Sequence, residues 1–391
     1  MADNIPIVFL PGIMGSRLHF LNSDKYWDPD DVLRMSEWVP ALLRTPEKLR
    51  QQMNFLEPAE VVSDDPNDRG WSGLPDSYYK DFLTKLQARF PQAPVYAVGY
   101  DWRQDNWSTA DVFLAKVREI LATEGATQVQ VITHSMGGMV FRAALEKSRL
   151  SGDALTDRVK GVVHVFQPVF GAVVLYRRFF TGVQVPGLDG EVTLHDITGS
   201  LGNLAFEWIL GDNPVDFIGK ASGMPGAMQL LPTDQYPPPP WNGSINSSAE
   251  SLHDFYLTTT YPPGLFAGGL SDVVKADLRE RLSETAQFDA RVRGVFHPRS
   301  WAVTGSGVKT DTQISFNGVK PVPVQDPDGG DGTVPLPSAS GLPLGEVGPF
   351  DPGELPDGRR QFLVTGVFHA NAFANGARNV QDVVMAIVAV V

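Results

Sequence analysis

Val129-Gln130-Val131-Ile132-Thr133-His134-Ser135-Met136-Gly137-Gly138-Met139-Val140-Phe141-Arg142-Ala143-Ala144-Leu145 is the stretch whose reading decides the fold. Val129 to Thr133 is a mainly apolar run of the kind buried on both faces of a sheet. From Gly137 to Leu150 the period becomes helical, with Val140, Phe141, Ala144 and Leu145 turned inward. Ser135 falls between the two, in a variant of the Gly-x-Ser-x-Gly turn in which Thr133 stands at the first glycine's position. A sharp turn there lifts the serine out of the sheet. The new helix directs its N-terminal amides and positive dipole end at charge developing beside it. Ser135 is thus the candidate nucleophile, and the Met136 N–H a candidate oxyanion donor.

Working outward, Ile5 to Leu10 reads as another buried strand, stopped by the glycine-punctuated loop Pro11 to Ser16. That loop supplies Ile13 N–H as the second oxyanion donor. Pro94 to Gly99 reads as a strand, and Ser108 as the cap of a helix carrying Phe113, Val117, Ile120 and Leu121 on one face. Further strands are expected at Val159 to Phe166, Trp301 to Gly305 and Gln361 to Gly366, with a closing helix from Val380 to Val391. Strands alternating with helices imply an α/β fold with a mainly parallel sheet covered on both faces. Two stretches break the rhythm. The first, about 20–77, holds Trp27, Trp38 and Trp71 without a clear strand and reads as an insertion. The second, 173–296, is too long for a structureless loop and reads as a cap with helices of its own. The core is then 1–172 and 297–391. Asp326 to Gly332 and Gly341 to Gly358 read as loops.

A serine nucleophile needs a base, and the base an orienting carboxylate. Among seven histidines, His369 follows the last strand, where the order nucleophile, acid, base puts it. Asp331, in Gly330-Asp331-Gly332-Thr333-Val334-Pro335, is the candidate acid, with Asp326 and Asp328 in reserve. His134 reads as packed beside the nucleophile turn, His164 as a hydrogen-bonded core residue and His297 as a loop residue. His195 and His253 fall in the cap. No clustered histidine and carboxylate set suggests a metal, and acyl transfer through serine requires no cofactor.

The chain of 391 residues is 42% hydrophobic and 20% charged, ordinary for a protein with a large core. Its net charge of −13 argues against nucleic acid and against attraction to anionic lipid. The absence of cysteine excludes disulfides, thiolate metal sites and a cysteine nucleophile. No apolar run is long enough to span a bilayer. The start lacks a signal-peptide pattern, so a cytoplasmic location is expected, with a secreted mature form as the alternative.

Phe9-Leu10-Pro11-Gly12-Ile13-Met14-Gly15-Ser16, Tyr100-Asp101-Trp102-Arg103, Ile132 to Gly138, Leu230-Leu231-Pro232, Gly330 to Pro335 and the late His369 together resemble the lecithin:cholesterol acyltransferase family of α/β-hydrolases. That group includes lysosomal phospholipase A2 and phospholipid:diacylglycerol acyltransferase. The resemblance implies Ser135, Asp331 and His369 as the triad and the Ile13 and Met136 amides as the oxyanion hole. It also implies that Asp101 and Arg103 hold the pocket floor, against the alternative of a structural ion pair. With His134 and Trp38 they are the candidate pocket residues. Trp38 to Leu43 reads as a lipid-facing lid or as a segment buried against the cap. The chain lacks the lid-locking cysteines of the animal members, so a bacterial member is the easier fit.

The expected activity is ester hydrolysis through an acyl-enzyme on a lipid or small ester. Transient contact with a lipid surface is compatible with it, and the oligomeric state is left open. The alternatives are acyl transfer to an alcohol, sharing the same intermediate, and a non-catalytic binding protein on a hydrolase fold.

Overall fold

The computed structural model describes residues 5–38, 54, 56–182, 211, 213–237, 240–243, 270–317 and 320–391. Its strands in chain order are β1 (Ile7–Leu10), β2 (Leu18–Phe20), β3 (Lys25–Trp27), β4 (Ala59–Val61), β5 (Val95–Ala97), β6 (Val129–His134), β7 (Val159–Val165), β8 (Trp241–Gly243), β9 (Ser300–Ser306), β10 (Val308–Asn317), β11 (Lys320–Gly330), β12 (Val347–Pro349) and β13 (Gln361–Thr365). The helices that matter below are α1 (Asp76–Arg89), α2 (Asn106–Glu124), α3 (Gly137–Ser151), α4 (Val174–Thr181), α5 (Pro214–Ala221), α6 (Pro225–Met228), α7 (Asp272–Val292) and α8 (Arg378–Val390).

The central sheet has seven strands in the order β12-β13-β9-β7-β6-β1-β5, and every pairing in it is parallel. Its side chains divide by the two-residue period of a strand. Val8, Leu10, Val129, Val131 and Val162 pack with α2 and α3. Ile7, Phe9, Ile132, Val163, Val165, Trp301 and Val303 pack with α1 and α8. Two buried faces explain why these strands read as apolar runs rather than alternating patterns. The chain passes from β1 outward to β5 and then returns to β6 on the other side of β1. The crevice at the carboxyl ends of β1 and β6 is therefore a topological switch point, the usual ligand position in such sheets.

Several expectations are corrected. The stretch expected to lack strands contributes an antiparallel sheet β3-β2-β4. Its strands are three residues long each, too short to carry a period. Asp326 to Gly330, read as loop, belong to β11, which pairs antiparallel with β10 in a long hairpin. Gly341 to Gly358 contain the short edge strand β12. Asp105, not Ser108, caps α2, because its carboxylate accepts the Ser108 amide at 2.8 Å and the Ser108 hydroxyl at 3.0 Å. Within the stretch expected to form a cap, α4 to α7 are described. Arg177 on α4 pairs with buried Asp311 on β10 at 2.7 Å, and the Tyr236 hydroxyl donates to Thr312 O at 2.9 Å. The hairpin thus carries this stretch on one side. No helix among the described residues is long and apolar enough to cross a membrane.

Candidate active site

Ser135 stands between β6 and α3 with φ of 52°, a left-handed conformation that costs a non-glycine residue energy. Packing holds it there. Its N–H donates to Val165 O at the end of β7, at 2.9 Å. Two glycines let neighbouring segments approach closely. A Cβ on Gly12 would lie 2.8 Å from Ser135 Cβ, and one on Gly137 would lie 2.5 Å from Pro11 O. Met14 (φ 60°) and Phe166 (φ 53°) share the same unusual conformation. These three strained residues lie just beyond the carboxyl ends of β1, β6 and β7, which are neighbours in the sheet. Strain gathered at one rim is a mark of a functional site.

His369 and Asp331 meet Ser135 there. The His369 Nε2 lies 2.8 Å from Ser135 Oγ, and its Nδ1 lies 2.8 Å from Asp331 Oδ2. Asp331 is fully buried, and its Oδ1 accepts the amides of Thr333 at 3.0 Å and Val334 at 2.7 Å. Those two N–H groups fix the carboxylate's rotation and support its charge. The His369 amide donates to Asp331 O at 2.9 Å, so the backbone also joins the pair. With Nδ1–H given to an acceptor-only carboxylate, Nε2 is left to accept the serine proton. Asp326 and Asp328 lie in β11 and do not bond His369; Asp326 Oδ1 accepts the Asp328 amide instead. The Ile13 and Met136 amides have no acceptor among the described residues.

The other candidates have internal partners. Arg103 is fully buried; it pairs with Asp101 and donates to Asn54 O and to Glu57 O at 2.9 Å. These bonds tie the pair to the segment that leads into β4. Trp38 is buried too, its Nε1 donating to Tyr26 O at 2.6 Å and its ring edge-on to Phe20. Of the proposed lid, 39–43 lie outside the described residues, as do His195 and His253. His297 bonds Thr156 O from a loop.

His134 is buried beside the site. Its Nε2 lies 3.2 Å from His369 O and its Nδ1 lies 2.9 Å from the Tyr79 hydroxyl. Its pKa falls well below the usual 6.5, first because burial penalises the charge and then because His369 is close. His164, which shares a hydrogen bond of 2.9 Å with Thr133 Oγ1, is lowered to about 3 by burial, with smaller contributions from Arg142 and His297. Thr133 thus turns its branched side chain to this histidine, which is how the motif tolerates a residue larger than glycine.

Both histidines make stability depend on pH. Below pH 6.5 the unfolded chain binds protons at these positions that the folded chain refuses. Their contribution is complete above that pH and is lost as pH falls, down to about 3 for His164. The expected slope is roughly 1.4 kcal/mol per pH unit for each. Denaturant titrations between about pH 7 and 4 check this, with His164→Asn expected to remove one histidine's share of the slope.

Sequence reasoning missed three neighbours. Phe166 lies near His369 with ring centroids 6.1 Å apart, and His134 is the imidazole's other ring neighbour at 5.2 Å. Tyr79 comes from α1, outside every motif. Gln167 is buried and both ends of its carboxamide lack partners among the described residues; it occupies the space a side chain on Gly138 would fill. None carries a local signal, since each is brought in by strand order or helix packing. Among the described residues no group of histidines and carboxylates is arranged to hold a metal.

Known proteins resemble the chain in sequence over one segment and in fold over its length. Residues 77–209 match the lecithin:cholesterol acyltransferase family, a segment that includes Ser135 and ends before Asp331 and His369. The crystal structure of the Tle4–Tli4 complex contains a similar chain, 18% identical, with 98% of each chain covered and a TM-score of 0.65. The mature Bacillus licheniformis lipase BlEst2 aligns at 13% identity over 98% of this chain and 93% of its own, with a TM-score of 0.36. No curated protein sequence matches significantly. The chain has the α/β-hydrolase fold, and over residues 77–209 it carries the pattern of the lecithin:cholesterol acyltransferase family.

Proposed function

We propose that the protein is a serine esterase or lipase working through an acyl-enzyme, with Ser135 as nucleophile, His369 as base and Asp331 as orienting acid. The observation that carries this is the unbroken alignment Ser135 Oγ, His369 Nε2, His369 Nδ1, Asp331 Oδ2, with 2.8 Å at each hydrogen bond. In the first half-reaction the Ser135 oxygen attacks the ester carbonyl carbon while its proton passes to His369 Nε2. The carbonyl oxygen takes the negative charge and is met by the Ile13 and Met136 amides, each donor being worth roughly 3–4 kcal/mol by removal. The intermediate collapses, the alcohol leaves with the proton from Nε2, and the acyl group remains on Ser135. Water then gives its proton to Nε2, attacks the acyl carbon, and frees the acid and the serine. Asp331 accepts Nδ1–H throughout and stabilises the transient imidazolium.

Acyl transfer is the second reading, favoured by the family match. It differs only in the second half-reaction, where an alcohol replaces water. The net charge of −13 favours a neutral lipid or ester over an anionic membrane as substrate.

The test is labelling by a fluorophosphonate and hydrolysis of p-nitrophenyl esters from acetyl to palmitoyl, with Ser135→Ala as the control. Labelling and hydrolysis confined to the wild type, with a preferred chain length, are expected. Product analysis with an added alcohol then divides hydrolase from transferase. Folded protein that is neither labelled nor active would sink the proposal and favour a binding role.

Gln167 also belongs to this reading, as the polar group kept for a substrate atom. A buried carboxamide without partners costs the free protein stability. Gln167→Met is therefore expected to stabilise by about 1–2 kcal/mol while lowering kcat/KM by about tenfold. Chemical denaturation and steady-state kinetics on one preparation check both. A variant neither more stable nor slower would show that the amide serves neither end.

A further inference from the structure

We infer that Tyr79 is a positioning residue, whose hydroxyl sets the oxyanion-donor loop and the base against one another through His134. The inference rests on the serine-esterase reading.

The hydrogen-bond roles are forced. The His369 carbonyl can only accept, so His134 Nε2, 3.2 Å away, must be the protonated ring nitrogen. His134 Nδ1 is then an acceptor, and the Tyr79 hydroxyl at 2.9 Å must donate to it. That leaves the phenolic oxygen to accept the Gly12 N–H at 3.3 Å. One directional chain therefore runs from Gly12 N–H through Tyr79 O–H and His134 Nε2–H to His369 C=O. It ties the loop after β1 to the residue bearing the base. The His369 amide, bonded to Asp331 O at 2.9 Å, carries the tie on to the acid.

The loop is shaped to receive this hydroxyl. A Cβ on Gly15 would lie 2.6 Å from the Tyr79 oxygen and 2.9 Å from Gly12 O, so only glycine leaves the notch open. The Gly12 carbonyl accepts the Gly15 amide at 3.1 Å. In a trans peptide C=O and N–H point oppositely, so that bond turns the Ile13 N–H away from Gly15. Tyr79 fixes one side of Gly12 through its N–H, and Gly15 fixes the other through its C=O. The Ile13 amide is thereby aimed by bonds on both sides of the preceding residue. Phe9, Phe373 and His134 pack around the Tyr79 ring, and the phenol is buried. A neutral His134 also spares His369 a cation at its flank when the imidazolium forms.

The experiment compares Tyr79→Phe with the wild type in the full chain, by ester kinetics, by affinity for a trifluoromethyl ketone and by thermal melting. The ketone adds Ser135 and places its oxyanion on the same donors, so it reports their alignment apart from turnover. Tyr79→Phe should lower kcat by about tenfold, leave KM within about twofold and weaken the ketone by the same factor as kcat. His134→Asn retains an acceptor near Nδ1 but loses the Nε2–H. Combined with Tyr79→Phe it should cost little beyond the larger single effect, since both break one chain. Wild-type kcat and ketone affinity in Tyr79→Phe would overturn the inference. So would losses that follow melting temperature alone, or full additivity of the two changes. A wild type that neither labels nor hydrolyses overturns the esterase reading first, and this one with it.

Discussion

Asp331→Asn is expected to lower kcat by roughly 10⁴-fold with little change in KM or stability. The reason is a matter of which way the amide must face. Asp331 Oδ1 accepts N–H groups from Thr333 and Val334. An asparagine must keep its carbonyl oxygen there, because its NH2 group would meet two donors. That leaves the NH2 against His369 Nδ1, 2.8 Å away. Nδ1 can then only accept, so the proton moves to Nε2, which faces Ser135 and can no longer take its proton. The variant keeps every heavy atom in place and loses the base. Fluorophosphonate labelling rates and kcat should fall together, and a rise in pH should recover little. Near-normal turnover would mean that Asp331 does not set the tautomer, and that Asp326 or Asp328 reaches His369 in solution.

Gly137→Ala is expected to have the largest effect on stability, roughly 3–5 kcal/mol. The added methyl would meet Pro11 O at 2.5 Å and Leu10 O at 2.6 Å. These are backbone atoms at the end of β1, a fully buried strand paired on both sides, and cannot yield as a side-chain end would. Relief requires α3 to move away from β1, opening the core on that face and separating Ser135 from the Ile13 loop. Denaturant midpoints should fall sharply. The comparison is Gly353→Ala, where the nearest atoms belong to the exposed Asp351 carboxylate at 3.2 Å, which should stay within about 0.5 kcal/mol. Equal effects at both positions would mean that the close approach at Gly137 is not maintained.

How much of this was legible in the sequence follows from where each signal lives. β1, β6 and β7 announce themselves because a strand buried on both faces needs apolar residues throughout, and the period changes abruptly at Gly137. The helices α2, α3 and α8 show their inward faces for the same reason. The β10–β11 hairpin does not, since β11 carries Pro321, Pro323, Asp326, Pro327, Asp328 and terminal glycines, residues depleted in strands. Its exposed side needs no apolar alternation, and cross-strand pairing leaves no mark in composition. The meeting of Ser135, Asp331 and His369 was legible by chain order, because a site at the rim of a parallel sheet draws on successive strand ends. The surroundings of Arg103 and Trp38 were not legible, since their partners Asn54, Glu57, Tyr26 and Phe20 come together only when the insertion folds. Tyr79 and Gln167 were invisible because a tyrosine on an amphipathic helix and a glutamine after a strand are ordinary until tertiary packing brings the one to His134 and the other against Gly138.

The hairpin also bears on how such a protein can diversify. The chain leaves the sheet at Ser306, travels out along β10 and back along β11, and returns to its starting rung, where Val308 faces Gly330 and Asp331 follows. Because departure and return coincide, the part of the hairpin beyond Thr310, whose hydroxyl accepts the Gly332 amide at 2.8 Å, can change in length without shifting the carboxylate. Surface excursions of this kind tolerate insertion well. Novelty in what the outer structure recognises and constancy in the chemistry are therefore separable in descent: the hairpin is a place where one lineage can be re-equipped for a new substrate while Asp331 keeps its place.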